Sequence, residues 1–224
     1  MRVCFVGQGD LPKYLQTSEE QGAQGRKKEA LTVFAFHGDE VCYEQELKGE
    51  TQFFESVARL SKRDKNLVVC GVVTNTHGHR RKSAIVAENG RILGVSDMLH
   101  AMDGEVHSGA YLRVYDTKIG RMGVAVAEDL YDFDTVKTLS VCGCDFIVCP
   151  FEKAEDSVCA VLLRAYAFLC GVPILFCGNN YAMIADVDGD LAFATPLSPA
   201  VVDFSVKKEF HLFESRRKIY IKRK

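Results

Sequence analysis

Short runs of Val, Ile, Leu, Phe and Cys recur along this 224-residue chain, at 3–6, 31–36, 67–73, 83–87, 111–115, 123–127, 146–149, 174–177, 182–187 and 191–195, with a last one at 201–204. Their length and β-branched content predict strands. Several are apolar at nearly every position, and a strand without alternation is one buried on both faces, as in a sheet held between other layers. Helical spacing alternates with these runs. In 51–62, Phe53, Val57 and Leu60 recur beside Phe54, and in 132–142, Phe133, Val136 and Leu139 share a face. In 155–170, Val158, Val161, Leu162, Ala165, Phe168 and Leu169 trace a stripe at helical spacing that is expected to face the core. Glu152, Glu155 and Asp156 precede it, where acidic groups favour a helix N-terminus. The segment 12–28 is a weaker helix, because Gly22 and Gly25 interrupt a thin apolar stripe.

Two dipeptides predict tight hairpins. Asn89-Gly90 parts two apolar runs, and Asp188-Gly189 parts two more, each offering the positive φ angles that such turns require. The stretch 74–82 joins two expected strands and reads as a solvated loop. Its His77-x-His79 pair has a metal-ligand spacing, but Arg80, Arg81 and Lys82 adjoin it and repel a cation. Helices alternating with strands, with hairpins between, predict an α/β layered protein with mixed sheets. Without a repeat, a low-complexity tract or a linker, one domain spanning 1–224 is the simplest organisation.

Composition adds exclusions. Apolar residues make up 47% and charged residues 26%, as in an ordinary globular protein, and the net charge of −2 gives no general case for nucleic acid or a membrane surface. No apolar run is long enough to span a bilayer. Met1-Arg2-Val3-Cys4-Phe5-Val6 enters a strand without the features of a signal peptide, so a cytoplasmic location is the default expectation. Nine cysteines, mostly inside apolar runs, read as reduced thiols serving as small core residues. Cys142-x-Cys144 is weak evidence for zinc on its own, so no metal or cofactor is expected. The end of the chain, 216–224, holds six cations in nine residues and reads as a solvated tail or a subunit-contacting arm.

One segment carries more. Gly120-Arg121-Met122-Gly123-Val124-Ala125-Val126-Ala127-Glu128-Asp129 resembles the nucleophile strand of the nitrilase superfamily of carbon–nitrogen hydrolases, G-R-x-G-x-x-I-C-Y-D. Other stretches are similar to that family in the same order: Asn89-Gly90-Arg91-Ile92-Leu93-Gly94 to its hairpin, and Asp116-Thr117-Lys118-Ile119-Gly120 to its "d-t-x-x-G". Gly143-Cys144-Asp145 with Pro150 resembles "GAd-x-x-x-x-P", and Arg164-Ala165 opens a segment like the helix "R-A-x-x-x-x-N". Asn179-Asn180 and Asp188-Gly189 resemble later turns of the family. The likeness runs from about residue 31 to about 217. It implies a four-layer α-β-β-α sandwich with mixed sheets, assembled as a homodimer or larger homo-oligomer, acting on a small amide-like ligand.

The family's chemistry joins a glutamate base, a lysine and a cysteine nucleophile. Position by position, the resemblance sets Phe36 at the glutamate, Met98 at the lysine and Ala127 at the cysteine, while His100 and Asp129 match the family's histidine and aspartate. Three apolar groups imply a chain without family catalysis, a pseudoenzyme with a ligand-binding or subunit-interaction role. The alternative is a divergent amidase that hydrolyses a C–N bond through a shifted triad or other cleft residues. Glu40 is its base if the loop after residue 36 is offset, and Glu105, Glu128, His100 and Asp129 are its other candidates. Each also has a plain reading. Glu128 is a paired charge at a strand end, Glu105 a surface acid, His100 a hydrogen-bonded structural residue, and Cys149 core.

Overall fold

The computed structural model describes residues 1–7, 14, 30–102, 104–152 and 156–207. Apart from Tyr14, the expected 12–28 helix lies outside them, as does the basic segment 216–224.

The strands of the first sheet are β1 (Arg2–Val6), β2 (Leu31–Cys42), β3 (Leu67–Thr76), β4 (His79–Glu88), β5 (Arg91–Asp97) and β12 (Ala200–Asp203). Those of the second are β6 (Val114–Thr117), β7 (Gly120–Val124), β8 (Phe146–Pro150), β9 (Ile174–Cys177), β10 (Ala182–Ala185) and β11 (Leu191–Thr195). The orders are β12-β1-β2-β3-β4-β5 and β11-β10-β9-β8-β7-β6. The pairing pattern repeats: antiparallel β12–β1 and β6–β7, then two parallel pairs, then two antiparallel ones. The fold is thus α/β with two six-stranded mixed sheets. β12 closes the first sheet by pairing Arg2 with Asp203 and Phe5 with Ala200.

Side-chain alternation sorts each strand between two layers. Val3, Phe5, Leu31, Val33, Leu67, Val69, Ala84 and Val86 face the second sheet, meeting Met122, Val124, Phe146, Val148, Leu175 and Ile184 in a buried interface. The alternate residues Cys4, Val6, Phe34, Val68, Cys70, Val72, Ile85 and Ala87 face outward, where Val57 and Leu60 cover them. Those two belong to α2 (Phe53–Asp64), which follows the short α1 (Tyr43–Lys48). No side chain of α2's own N-cap residue, Gln52, satisfies the free N–H groups; the Glu46 carboxylate of α1 accepts from Phe53 N and Phe54 N at 2.9 and 3.0 Å instead. On the far side, α3 (Phe133–Val141) and α4 (Asp156–Cys170) cover the second sheet. Asp132 caps α3, accepting from Thr135 N at 3.0 Å. Fully apolar β8, β9 and β10 are buried on both faces, as continuous runs require.

The structure corrects several expectations. The 74–82 stretch is not a loop: β3 and β4 extend through it, joined by His77-Gly78 with φ 51° and 85°. Asn89 and Gly90 have φ 50° and 84°, so both links are tight turns with two positive φ angles. In Asp188-Gly189 only the glycine is left-handed (φ 81°), with Gly189 N donating to Asp186 O and Asp186 N to Asp190 O across a wider turn. The 111–115 run starts its strand only at Val114, and the 123–127 strand ends at Val124 because the chain turns into a short 3₁₀ helix, Ala127–Tyr131. Phe133 is partly exposed, against Tyr166.

The largest correction concerns α4. Its buried residues are Cys159, Leu163, Ala167 and Cys170, whereas Val158, Val161, Phe168 and Leu169 are 46, 65, 50 and 51% exposed. This helix is apolar almost all round, so periodicity alone picks out the wider stripe, not the narrower face of Cys159, Leu163, Ala167 and Cys170 that packs on the sheet.

In β2 the parallel register shifts between Phe34, opposite Cys70, and Phe36, opposite Gly71, leaving Ala35 as an extra residue. Ala35 and Phe36 therefore both join the inter-sheet core. A Cβ at Gly71 would lie 2.7 Å from Cδ2 of Phe36, so the ring rests on bare backbone. Gly71→Ala should cost about 1–3 kcal/mol in urea denaturation. Most of that loss should disappear in a Phe36→Leu background; an equal loss in both backgrounds would show that the ring does not set the constraint.

Candidate functional site

Phe36 at the bulge in β2, Met98 just past β5 and Ala127 in the turn after β7 all belong to the apolar layer between the sheets. Phe36, Met98 and Ala127 are 1, 2 and 0% exposed and belong to one buried apolar cluster. Met98 is fixed through its backbone, its N–H donating to Lys82 O at 2.8 Å and its carbonyl accepting from Gly109 N at 2.7 Å. Ala127 opens the 3₁₀ turn with φ 49°, a left-handed conformation that an L-residue adopts at a cost of about 1–2 kcal/mol.

Next to Ala127, Glu128 crosses to the other sheet. Lys82 Nζ donates to Glu128 Oε1 at 2.7 Å and lies 3.3 Å from Glu152. Lys82 is on the inward face of β4, two and four residues before Ala84 and Val86, and its side chain is only 13% exposed. Burial lowers the pKa of its ammonium group, but the hydrogen bond to Glu128 and the charges of Glu128 and Glu152 outweigh that and leave it above the usual lysine value. The second oxygen of Glu128 is buried without a hydrogen-bond partner among the described residues. Lys82 and Glu152 are the residues that sequence reasoning missed. The signal was the alternation Lys82, Ala84, Val86, which is visible only once 79–88 is read as strand.

Asp129 holds the neighbouring segment. Its side chain is 1% exposed and accepts from Leu99 N and His100 N at 3.0 Å, with His100 Nδ1 at 3.2 Å. His100 Nε2 stands 3.4 Å from Asp132, so the imidazole sits between two carboxylates. Burial raises the Asp129 pKa, and the two backbone donors and the His100 side chain oppose that rise without cancelling it.

The remaining candidates lie elsewhere or do other work. Glu40 accepts from Asn75 and pairs with Arg80 at 2.6 Å on the first sheet, and the Asn75 hydrogen bond leads in holding its carboxyl below the usual range. Glu105 is exposed in the segment between β5 and β6. Cys149 is fully buried under the outer helices, and burial raises its thiol pKa well above the normal value, so it stays protonated. Cys4, Cys70, Cys144, Cys159, Cys170 and Cys177 are likewise buried, while Cys142 is exposed. A cavity of about 400 Å³ opens on the outer surface between α1 and α2, lined by Tyr43, Glu46, Leu47 and Phe54 among others. Among the described residues, no group of three or more His, Cys, Asp or Glu is placed to hold a metal ion, and no helix is long and apolar enough to cross a membrane.

Replacing Asp129 by Asn turns one acceptor oxygen into a donor facing N–H groups, so Asp129→Asn should destabilise the protein by about 1–3 kcal/mol. A folded-state pKa above the ordinary 3.8 means that the native state binds the proton more tightly than the unfolded chain, so this group's contribution falls as pH rises through that range. The deficit of the variant should therefore be largest in acid and narrow as pH rises past the ordinary Asp value. Urea denaturation of both proteins across that range measures it, and a gap that widens with pH would contradict the assignment.

Solved structures share this architecture. A cysteine-to-serine mutant of the Nesterenkonia AN1 amidase, from the nitrilase superfamily, matches with a TM-score of 0.73 at 15% identity, over 100% of this chain and 96% of that one. The cysteine-to-alanine mutant of that amidase, in complex with butyramide, matches at 0.72 and 16% identity, over 100% and 96%. Nit3 of Saccharomyces cerevisiae, a member of branch 10 of the superfamily, matches at 0.75 and 16% identity, over 98% and 93%. No family model matches the chain, and no curated protein matches it. At such identities the likeness is one of backbone, and the chain has the fold of the nitrilase superfamily.

Proposed function

We propose that this nitrilase-fold chain works without the family's hydrolysis, as a pseudoenzyme with a subunit-interaction role. The observation that carries the reading is the joint burial of Phe36, Met98 and Ala127 in one apolar cluster, at the positions the resemblance assigns to base, lysine and nucleophile. None of the three can take a proton, hold a charge or attack a carbon, and an apolar cluster does not stabilise an isolated thiolate or ammonium. Phe36 and Met98 also occupy volume that a small amide would need. The Nesterenkonia amidase with alanine for cysteine is described with butyramide bound; here butyramide is expected not to bind.

The interaction surface of this proposal is the outer face of α4. Val158, Val161, Phe168 and Leu169 present apolar side chains at helical spacing, and Tyr131 and Phe133 are exposed beside that layer. A patch of this kind is expected at an interface between subunits, and a second copy pairing through the same face gives a homodimer.

The second reading, a divergent amidase, is favoured by one feature, the Lys82–Glu128–Glu152 group beside Ala127, which sets a cation between two carboxylates. Assays with amides, nitriles and carbamoyl compounds separate the two. We expect neither turnover nor a covalent adduct by intact-mass spectrometry, and turnover abolished by Glu128→Gln would establish the second reading instead. The triple change Phe36→Glu, Met98→Lys and Ala127→Cys tests whether the positions converge as the resemblance implies; amidase activity in that variant would show that the cleft geometry is intact. Analytical ultracentrifugation should find a dimer that Val161→Glu with Phe168→Glu converts to a folded monomer, and a monomeric parent protein would remove the interface.

A further inference from the structure

We propose that His79 and His107 form a two-imidazole site for a borderline divalent transition metal ion, Zn²⁺, Ni²⁺ or Cu²⁺, at the surface where β4 meets the segment after β5. His79 Nδ1 and His107 Nε2 are 3.2 Å apart, with the ring planes at 84° and centroids 4.6 Å apart. A tetrahedral ion with metal–nitrogen bonds of about 2.0–2.1 Å needs donors roughly 3.3–3.4 Å from one another. The two nitrogens, at 3.2 Å, stand slightly inside that separation, although 28 residues part them along the chain.

The backbone fixes the spacing. Beyond Asp97 the chain continues along β4, with Met98 N donating to Lys82 O at 2.8 Å and His107 N to Arg80 O at 2.7 Å, while Gly109 N returns to Met98 O at 2.7 Å. His107 is thereby held across from the start of β4. Both imidazoles are exposed, so water can complete the coordination shell. Without a metal, one ring donates its N–H to the other. Binding requires that ring to carry its proton on its other nitrogen, which turns both facing nitrogens into lone-pair donors with no net change in charge.

The flanking cations do not repel an ion here as their sequence suggests. Arg80 pairs with Glu40 at 2.6 Å, Arg81 lies 4.0 Å from Asp97, and Lys82 turns inward to Glu128 and Glu152. The neighbouring His77 faces Glu44 at 3.1 Å and is no part of the pair. The site is therefore formed between β4 and the segment after β5, not by the His-x-His spacing. Two nitrogen donors favour Cu²⁺ over Ni²⁺ and Zn²⁺ and discriminate against Mg²⁺ and Ca²⁺, which prefer oxygen. With the other positions left to water, the ion exchanges readily, and it ties the segment containing Met98, His100 and Glu105 to β4.

The test uses the full chain carrying Cys142→Ser, which removes the exposed thiol as a competing ligand. Calorimetry with Zn²⁺ and electron paramagnetic resonance with Cu²⁺ should each report one ion per chain, the latter with two coupled nitrogens. His79→Ala and His107→Ala should each weaken binding on the order of tenfold or more, because a chelate loses its second arm, and should leave one coupled nitrogen. His77→Ala should bind as the parent does. Binding should weaken as the buffer is acidified, because protons compete for the same nitrogens. Parent-like binding by either His79→Ala or His107→Ala, or an equal loss in His77→Ala, would overturn the assignment. The variants replace exposed side chains, and their thermal unfolding, measured without metal, confirms that each is folded.

Discussion

Two apolar sheet faces pressed together are the constraint on which the rest of this molecule depends. Each large side chain buried between them contributes about 1.5–3 kcal/mol, and the strands of both sheets supply such side chains along most of their length. The outer helices pack on sheets whose positions are set by that contact. The same interface dictates what its end can contain. A lone charge there costs several kcal/mol unless it is paired or reaches water. Phe36, Met98 and Ala127 avoid that cost by being apolar, and the ionisable groups nearby avoid it by pairing: Lys82 with two carboxylates, and Asp129 with the backbone of Leu99 and His100.

Asp129 and Ala127 show that organisation at this end of the fold is independent of polarity in its centre. The carboxylate positions the chain after β5 although the residue so positioned, Met98, carries no charge. The left-handed backbone at Ala127 persists although it presents only a methyl group. Hydrogen bonds around the turn, Asp129 N to Val126 O and Ala125 N to Val148 O, help to hold that conformation. The positioning is thus a property of the backbone and its carboxylate anchor, separable from whatever side chains are positioned.

Much of this was legible in the sequence, for physical reasons. Continuous Val, Ile, Leu, Phe and Cys runs have only one comfortable environment, so β1, β8 and β9 could be placed to within a residue or two. Asn89-Gly90 could hardly be anything but a tight turn. The orientation of α4 was not legible, because Cys159, Ala167 and Cys170 are small beside Phe168 and Leu169 and pattern favours the larger stripe. The pairs Lys82–Glu128 and His79–His107 were hidden for another reason. Each joins β4 to a segment outside its own sheet ladder, the turn after β7 for Glu128 and the stretch after β5 for His107, and the stretch containing Lys82 and His79 looks like a loop until Gly78 is recognised as the second residue of a turn.

The placement of β12 has a consequence for how the chain reaches its native state. β1 is the first strand in the sequence, yet one of its hydrogen-bonding edges is completed only by residues 200–203. During synthesis that edge emerges well before its partner, and an unpaired strand edge is a template for wrong partners. Contacts so distant in sequence also slow folding, since the loop must close before the pairing rewards it. The first sheet is therefore finished by segments far apart in the sequence, and a nascent chain that stops short of residue 200 leaves β1 with a bare side.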